Sequence, residues 1–526
     1  MSRSIIVRYV GLDVHKRVVQ AVILDAAGAV VHRERFALNG RTLETFGTTV
    51  LRPGDQVALE ATTNCWAVAD ILRPHVARVV VSNPLATKAI AQAKVKTDKV
   101  DALVLAQLLR CDYLPEVWQP DAATRGLREL TGRRSALVGQ RTMFRNRIHS
   151  VLAMRLIEVS LPKLFGPEGR AWLATLELDS QGRLLLDSDL RQLDFLGQEI
   201  EAIDAELARR GYAQPRVKLL MTAPGVDVTT AEAMLAAWGD VKRFADGDRA
   251  ASYLGLTPST RQSAEHCYHG PITKRGNSQA RWMLIEAAQH LDKHPGPLGH
   301  FFRRLMKKKN RNVAVVAAAR KLAVIGWHML VTGEPYRYAI PKTTEAKLAK
   351  LRVKATGQRR QGGPAKGVKA TAKLPGGSRT IKSLAAACVR EGLPEPRPLS
   401  SGEQRTVKEA GCEAFVSQIG ESQVVPRRPS SGQAKREETH AAEVSQEAKP
   451  TASPAATDTP SRPRRSSGRV SRASCPVRTP AACPPDRFRR PRAGDQGDEA
   501  PPPGPPTLFS IPVPTSPSAK EPAGAS

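Results

Sequence analysis

The sequence predicts a mixed α/β domain at the N-terminus, a helical middle, a mostly helical C-terminal domain and a tail with no core. Three observations carry this. Short β-branched apolar runs separated by polar turns recur over residues 5–81. Apolar residues return at helical spacing over 127–210. Beyond about 356 the chain becomes rich in Pro, Ser, Arg, Gly and Ala and loses apolar periodicity, as in the run Pro501–Pro506. A chain of 526 residues is long enough for two or three cores.

Strands are expected at 5–10, 18–24, 30–36, 57–60 and 76–81, and helices at 43–51, 65–72 and 85–93. Three strands followed by alternating helix and strand imply a mixed sheet flanked by helices. Asp13 lies in or just past the first strand, and Glu60 ends the fourth. The next helix begins at Lys96-Thr97-Asp98-Lys99-Val100-Asp101, with Thr97 as its N-cap and Val100, Leu103, Val104 and Leu108 as its apolar positions. Asp98 and Asp101 stand three apart and share a face, where like charges repel. Either the neighbouring lysines and solvent or a divalent cation balances them. Acids embedded in apolar strands also demand a positive partner. Two strand acids and a helical pair together supply the oxygen ligands that paired Mg²⁺ ions need for displacement at phosphorus.

Charge points the same way. The chain carries 80 Lys and Arg against 50 Asp and Glu, a net +30 with a pI near 10.3. Residues 341–526 hold 32 basic and 17 acidic side chains, so both parts are basic. Such a surface favours a polyanion, and beside clustered acids the expected polyanion is nucleic acid. The seven cysteines form no C-x-x-C pair and suit a reducing cytoplasm. No secretory signal is read at the start, and the most apolar helix, 313–331, is interrupted by Arg320 and Lys321, so no membrane span is expected.

In the middle region Leu190, Leu193, Leu196, Ile200, Ile203 and Leu207 form a short heptad-like seam, and the preceding segment is basic through Arg133, Arg134, Arg141, Arg145 and Arg147. A dimerising coiled coil, a nucleic-acid-facing arm and two packed helices all fit; the first two combined are expected. Next, Met221-Thr222-Ala223-Pro224-Gly225-Val226-Asp227 reads as a turn before a helix. Its backbone N–H groups suit a DNA phosphate, which makes Pro224 and Gly225 candidate DNA contacts. Residues 253–282 then mix hydroxyl groups with Arg261, Lys274 and Arg275, a setting for holding a phosphodiester and aiming a serine at phosphorus. The residues alone do not rank Ser259, Ser263 and Ser278. His266, Cys267 and His269 lack a second ligand pair at zinc spacing and read as loop residues.

Val10-Gly11-Leu12-Asp13-Val14-His15-Lys16, Leu59-Glu60-Ala61-Thr62, Asn83-Pro84 and Lys96-Thr97-Asp98-Lys99-Val100-Asp101-Ala102 together resemble the ordered Asp, Glu, Asp, Asp signature of the DEDD-type insertion-sequence transposases, which also include the Piv-type DNA invertases. The likeness runs from about residue 8 to about 350. It implies a RuvC-like, ribonuclease H-fold domain at 1–125, a coiled-coil linker at 126–215 used in oligomerisation and RNA contact, and a transposase domain with a helix-hairpin-helix-like element at 216–355. The region 356–526 is an atypical extension, read as disordered. The resemblance further implies that Asp13, Glu60, Asp98 and Asp101 hold Mg²⁺. It places the nucleophilic serine a few residues after Gly255-Leu256-Thr257-Pro258, at Ser263, with Ser278 as second choice. Ala264 follows where many members have Gly.

The function implied is a cytoplasmic bacterial transposase or recombinase. It cuts and exchanges DNA through a phosphoserine, is directed by a structured guide RNA and acts as a homo-oligomer. Two alternatives stand beside it: a Holliday-junction-resolvase-like nuclease using four carboxylates and water, and an inactive nucleic-acid-binding remnant.

Overall fold

A computed structural model describes residues 7–90, 97–263, 265–358 and 378–426. β1 (Tyr9–Val14), β2 (Val18–Leu24) and β3 (Val30–Ala37) form an antiparallel meander. α1 (Gly40–Thr49) then leads to β4 (Gln56–Glu60), parallel to β1, and α2 (Cys65–Leu72) leads to β5 (Arg78–Ser82), parallel to β4. The strand order is β3-β2-β1-β4-β5. All five expected strands form, but the first lies further along than 5–10, because the buried alternation Val10, Leu12, Val14 continues past Gly11. Asp13 is therefore inside the strand; residues 5 and 6 fall outside the described residues.

Pleating sorts the side chains of β1 and β4 onto two faces. Val10, Leu12, Val57 and Leu59 pack with Leu43 and Phe46 of α1 and Val68 and Leu72 of α2. The opposite face carries Val22, Ala58 and Val80, covered by Ala102, Leu105, Ala106 and Leu109 of α4 (Asp98–Arg110). Between β5 and α4 lies the short α3 (Pro84–Ile90). Tyr9, Gly11 and Asp13 alternate onto the α4 face, as do Ala58 and Glu60.

α5 (Ala122–Ala153), α6 (Pro167–Thr175) and α7 (Ser180–Ala213) follow. The leucine seam does not remain open for a partner. Leu196 and Ile200 of α7 pack on Leu137 of α5, and Leu186 and Leu193 pack on Ile148 and Leu152. The seam thus closes as an antiparallel pair within one chain, the plainest of the three arrangements its spacing allows. Several arginines of α5 serve the same packing. Arg134 bonds Asp204, Arg147 faces Asp189 at 3.4 Å, and Arg145 lies over the Phe165 ring at 5.2 Å.

α8 (Pro215–Met221), α9 (Val228–Trp238), α10 (Gly247–Tyr253), the hairpin β6 (Pro258–Ser263) and β7 (His266–Ile272), α11 (Ser278–Ala288), α12 (Pro297–Met306), α13 (Arg311–Thr332) and α14 (Pro341–Thr356) complete the C-terminal region. Every residue of α9 from Thr229 to Trp238 is buried. Arg128 of α5 donates to the carbonyls of Ala236 and Ala237, fastening the long helix to α9. α13 is long and apolar enough to cross a membrane. Its Ala314, Ala318, Leu322 and Ala323 are instead buried, it packs on α8, α10 and α11, and Arg320 pairs with Asp248 at 2.9 Å.

The expectation of a structureless region over 356–526 fails in part. Residues 378–426 form β8 (Ser378–Ile381), α15 (Leu384–Arg390), α16 (Ser401–Glu409), α17 (Glu413–Gly420) and β9 (Gln423–Pro426). The remainder of the expected tail, 359–377 and 427–526, lies outside the described residues. Local signals explain the order. Ser400 and Glu403 make a capping box, Ser383 caps α15, and Leu384, Ala387 and Cys388 recur at helical spacing and are buried. Two compact units result, each described by itself. One holds the described parts of 1–294, 301–336 and 346–359. The other joins 295–300 and 337–345 to the described part of 360–526. Within it Arg337 bonds Glu403, Cys412 Sγ donates to the Pro295 carbonyl at 3.2 Å, and Arg390 faces Glu345 at 3.7 Å. No disulfide forms among the described residues.

Candidate functional site: an acidic cluster and an exposed serine hairpin

Leu12 of β1 is in register with Leu59 of the parallel β4, so Asp13 and Glu60 come next, side by side on adjacent strands about 4.8 Å apart and facing α4. α4 starts at that point. Thr97 accepts from the Val100 N–H as the expected N-cap, which sets Asp98 and Asp101 in the first turn, where the helix dipole favours acids.

The clustered atoms are close. His15 Nε2 lies 3.1 Å from Asp13 Oδ2 and 3.3 Å from Asp98 Oδ1. The ligand atoms of Asp13, His15 and Asp98 all fall within 4.8 Å of one another, and no other such group of His, Cys, Asp or Glu occurs among the described residues. Burial raises the Asp13 carboxyl above the usual aspartate range; Asp101 and Asp98 push the same way and His15 opposes them. Asp13 Oδ2 is buried with no well-directed hydrogen bond among the described residues. A buried carboxylate oxygen left so, with two further carboxylates beside it, fits a divalent cation. Asp98 and His15 are about half exposed, so a phosphate can reach the cluster.

Sequence reasoning gave His15 no role. Its signal was spacing: Asp13 and His15 are two apart at the end of a strand and so project to one face.

Ser263 ends β6 and is in register with His266 across the hairpin. Both are exposed, as are Arg261, Lys274 and Arg275. Thr260 Oγ1 and His269 Nδ1 are 3.1 Å apart, and Ser259 donates to the Pro271 carbonyl at 3.2 Å. Cys267 and His269 share one face of β7, whereas His266 alternates to the other, so the three do not converge as a zinc set. Lys274 adopts φ 55° and Gly276 φ 73° in the loop before α11, which Arg281 braces by donating to the Leu254 and Arg275 carbonyls. Ser278 is the exposed first residue of α11, whose N-cap is Asn277.

The turn at Pro224 and Gly225 lies at the surface, with Gly225 exposed and Pro224 half-buried. Gly225 has φ 75°, and a Cβ there would meet the Ala287 carbonyl oxygen at 2.1 Å. Lys347 donates to the carbonyls of Ala223 and Val226 at 2.7 and 3.0 Å, and burial lowers its pKa to about 8 against the pull of Asp227. Asp227 caps α9 by accepting from the Thr230 N–H at 2.9 Å, so a carboxylate already occupies that helix end.

Comparison with known proteins bears on both constellations. Residues 10–155 match the family model DEDD_Tnp_IS110, described as a transposase, and residues 217–302 match that of the transposase IS116/IS110/IS902 family. The chain is 26% identical over 344 residues to a transposase of Sinorhizobium fredii designated y4pF/y4sB, covering 63% of this chain and 86% of that protein. It is 26% identical over 353 residues to the transposase for insertion sequence element IS1111A of Coxiella burnetii, covering 63% of this chain and 92% of that one. It is 25% identical over 291 residues to the pilin gene-inverting protein of Moraxella bovis, covering 53% and 80%. Sheet, acidic cluster and second matched region therefore define a DNA transposase or recombinase. The two matched regions are domains of the IS110/IS116 transposase family.

Proposed function

We propose that this transposase cuts and rejoins DNA by a Mg²⁺-dependent reaction through a phosphoserine, with a structured RNA selecting the DNA ends. The observation that carries the proposal is the convergence of Asp13 and Asp98, with Asp101 near enough to raise the Asp13 carboxyl and Asp13 Oδ2 buried and lacking a well-directed hydrogen bond among the described residues. The sheet order supports reading residues 1–125 as RuvC-like, with 126–215 as a helical linker and 216–355 as the serine-bearing domain.

Asp13, Glu60, Asp98 and Asp101 hold the metal. Bound there, Mg²⁺ supplies positive charge to the phosphate and to the attacking and leaving oxygens. Ser263 Oγ forms the bond to phosphorus, and the strand's sugar oxygen leaves with a proton. Phosphoester energy is thereby conserved, so rejoining needs no ATP. Arg261, Lys274 and Arg275 hold the backbone phosphates near the serine. Oligomerisation uses surfaces other than the leucine seam, which α5 occupies.

The acidic cluster is assembled within one chain while Ser263 stands exposed on its hairpin, and that arrangement also suits hydrolysis by metal-directed water. Incubation with element-end DNA, the RNA and Mg²⁺, followed by a denaturing gel, separates the two. The transposase reading expects a covalent protein–DNA adduct; cleavage without any adduct would leave the nuclease.

A further inference from the structure

We propose that His15 is itself a ligand of the divalent cation, so that the site is a mixed nitrogen and oxygen set that takes a transition-series ion such as Mn²⁺ more tightly than Mg²⁺. The inference rests on the reading of the acidic cluster as a metal site and changes what that site selects.

The geometry points to a shared ion rather than an ion pair. His15 Nε2 faces two carboxylate oxygens at 3.1 and 3.3 Å. A ring nitrogen carries at most one hydrogen and can direct it at only one of them. Asp13 Oδ2 receives no well-directed hydrogen bond despite its 3.1 Å approach. The same separations are those of ligands around one cation. Bonds of ~2.1 Å put neighbouring ligands ~3.0 Å apart in an octahedron and ~3.4 Å apart in a tetrahedron; both His15 spacings fall between the two, and the Asp13 and Asp98 oxygens lie within 4.8 Å of each other.

Position supports this. The ring follows β1 directly, its backbone N–H is tied to the Val18 carbonyl at 2.9 Å, and its side chain is half exposed, so small rotations suffice for coordination.

Ligand chemistry then sets the preference. Mg²⁺ favours oxygen donors and keeps much of its water, whereas imidazole nitrogen favours later divalent ions, which bind a given N/O set more tightly along the transition series. Asp101 stands one helical turn from Asp98 on the same face.

The test uses the full chain, freed of metal and titrated with Mn²⁺ under electron paramagnetic resonance. Pulsed spectra expect nitrogen coupling to bound Mn²⁺ that changes frequency when the protein is labelled with ¹⁵N-histidine. Both His15→Gln and His15→Ala should weaken Mn²⁺ at least about tenfold, lose the coupling and leave Mg²⁺ competition within about twofold. Mn²⁺ that binds and is lost in Asp13→Asn, yet shows no nitrogen coupling, would overturn the role of His15 and keep the carboxylate site. Mn²⁺ binding that is absent, or indifferent to Asp13→Asn, would overturn both.

Discussion

Gly11 of β1 and Ala102 of α4 meet so closely that a Cβ on the glycine would lie 1.9 Å from the alanine carbonyl oxygen. A strand and a helix can approach this far only where the strand residue has no side chain and the helix residue a small one. The contact is two residues from Asp13 and one from Asp101, so it sets how near the carboxylates come to one another. Gly11→Ala should therefore damage the site without touching a ligand. The substitution is expected to cost about 1–3 kcal/mol of stability through overpacking and to weaken Mn²⁺ binding at least about tenfold. Denaturant unfolding and metal titration check this, and unchanged metal affinity would detach the glycine contact from the site.

Asp98→Asn and Asp101→Asn should each abolish DNA cleavage while leaving the metal-free fold as stable as before, or more so. Each change removes a negative neighbour that helps to raise the Asp13 carboxyl, and so relieves repulsion in the absence of metal. Melting curves in chelator and cleavage assays in Mg²⁺ together decide. Wild-type cleavage by either variant would remove that residue from the reaction.

Ser263→Ala should eliminate the covalent adduct while DNA and RNA binding persist, since one hydroxyl contributes little to an interface governed by phosphate charge. Ser278→Ala is the control and should behave as wild type. An adduct that survives the first change and vanishes with the second would move the nucleophile to α11.

Glu232 of α9 offers a pH experiment away from the chemistry. It is fully buried, neither carboxylate oxygen has a hydrogen-bond partner among the described residues, and burial lifts its pKa to about 7 against the opposing charge of Arg210. The folded value exceeds the unfolded one, so the folded state holds the proton more tightly. Its stabilising contribution is full below the ordinary glutamate value of 4.5 and is lost as pH rises through about 7. A shift of this size corresponds to about 3 kcal/mol. Glu232→Gln should flatten the fall in stability between pH 5 and pH 8, as measured by urea unfolding. An unchanged pH profile would place the titration elsewhere.

Truncation now has a preferred position. Ending the chain after residue 426 should leave unfolding intact, whereas ending it after 355 removes Glu403, Cys412 and Arg390, the partners of Arg337, Pro295 and Glu345. The shorter form is expected to lose stability in the second unit, seen as faster hydrogen exchange over 337–345. Equal exchange in both forms would refute this.

Much of this architecture was legible because strand and helix periods are local. Val18–Leu24 and Cys65–Leu72 coincide with their expected bounds, and Thr97 caps α4 as its sequence required. What was not legible depended on partners distant in sequence. The seam of α7 has the same spacing whether it meets another chain or α5, and only the antiparallel return through α6 decides. Gly225 reads as a turn residue, but the approach of the Ala287 carbonyl that leaves no room for a Cβ there comes from a distant helix. His15 stood inside the quoted motif, but its closeness to Asp98 arises from a helix more than 80 residues away. The helices of 384–420 were hidden by averaging, because their few buried apolar residues sit in a stretch whose overall composition is polar.

The openness of the β6–β7 hairpin bears on what a resting copy of this enzyme does in a cell. An exposed alcohol is a poor nucleophile near neutral pH until a base takes its proton. If Ser263 performs the attack, the idle protein is chemically silent, and reactivity arises only when bound nucleic acid or a second subunit shields the hairpin and brings it to a carboxylate cluster. A mobile element built this way spares its host from stray nicks, because the weapon is assembled only at the target.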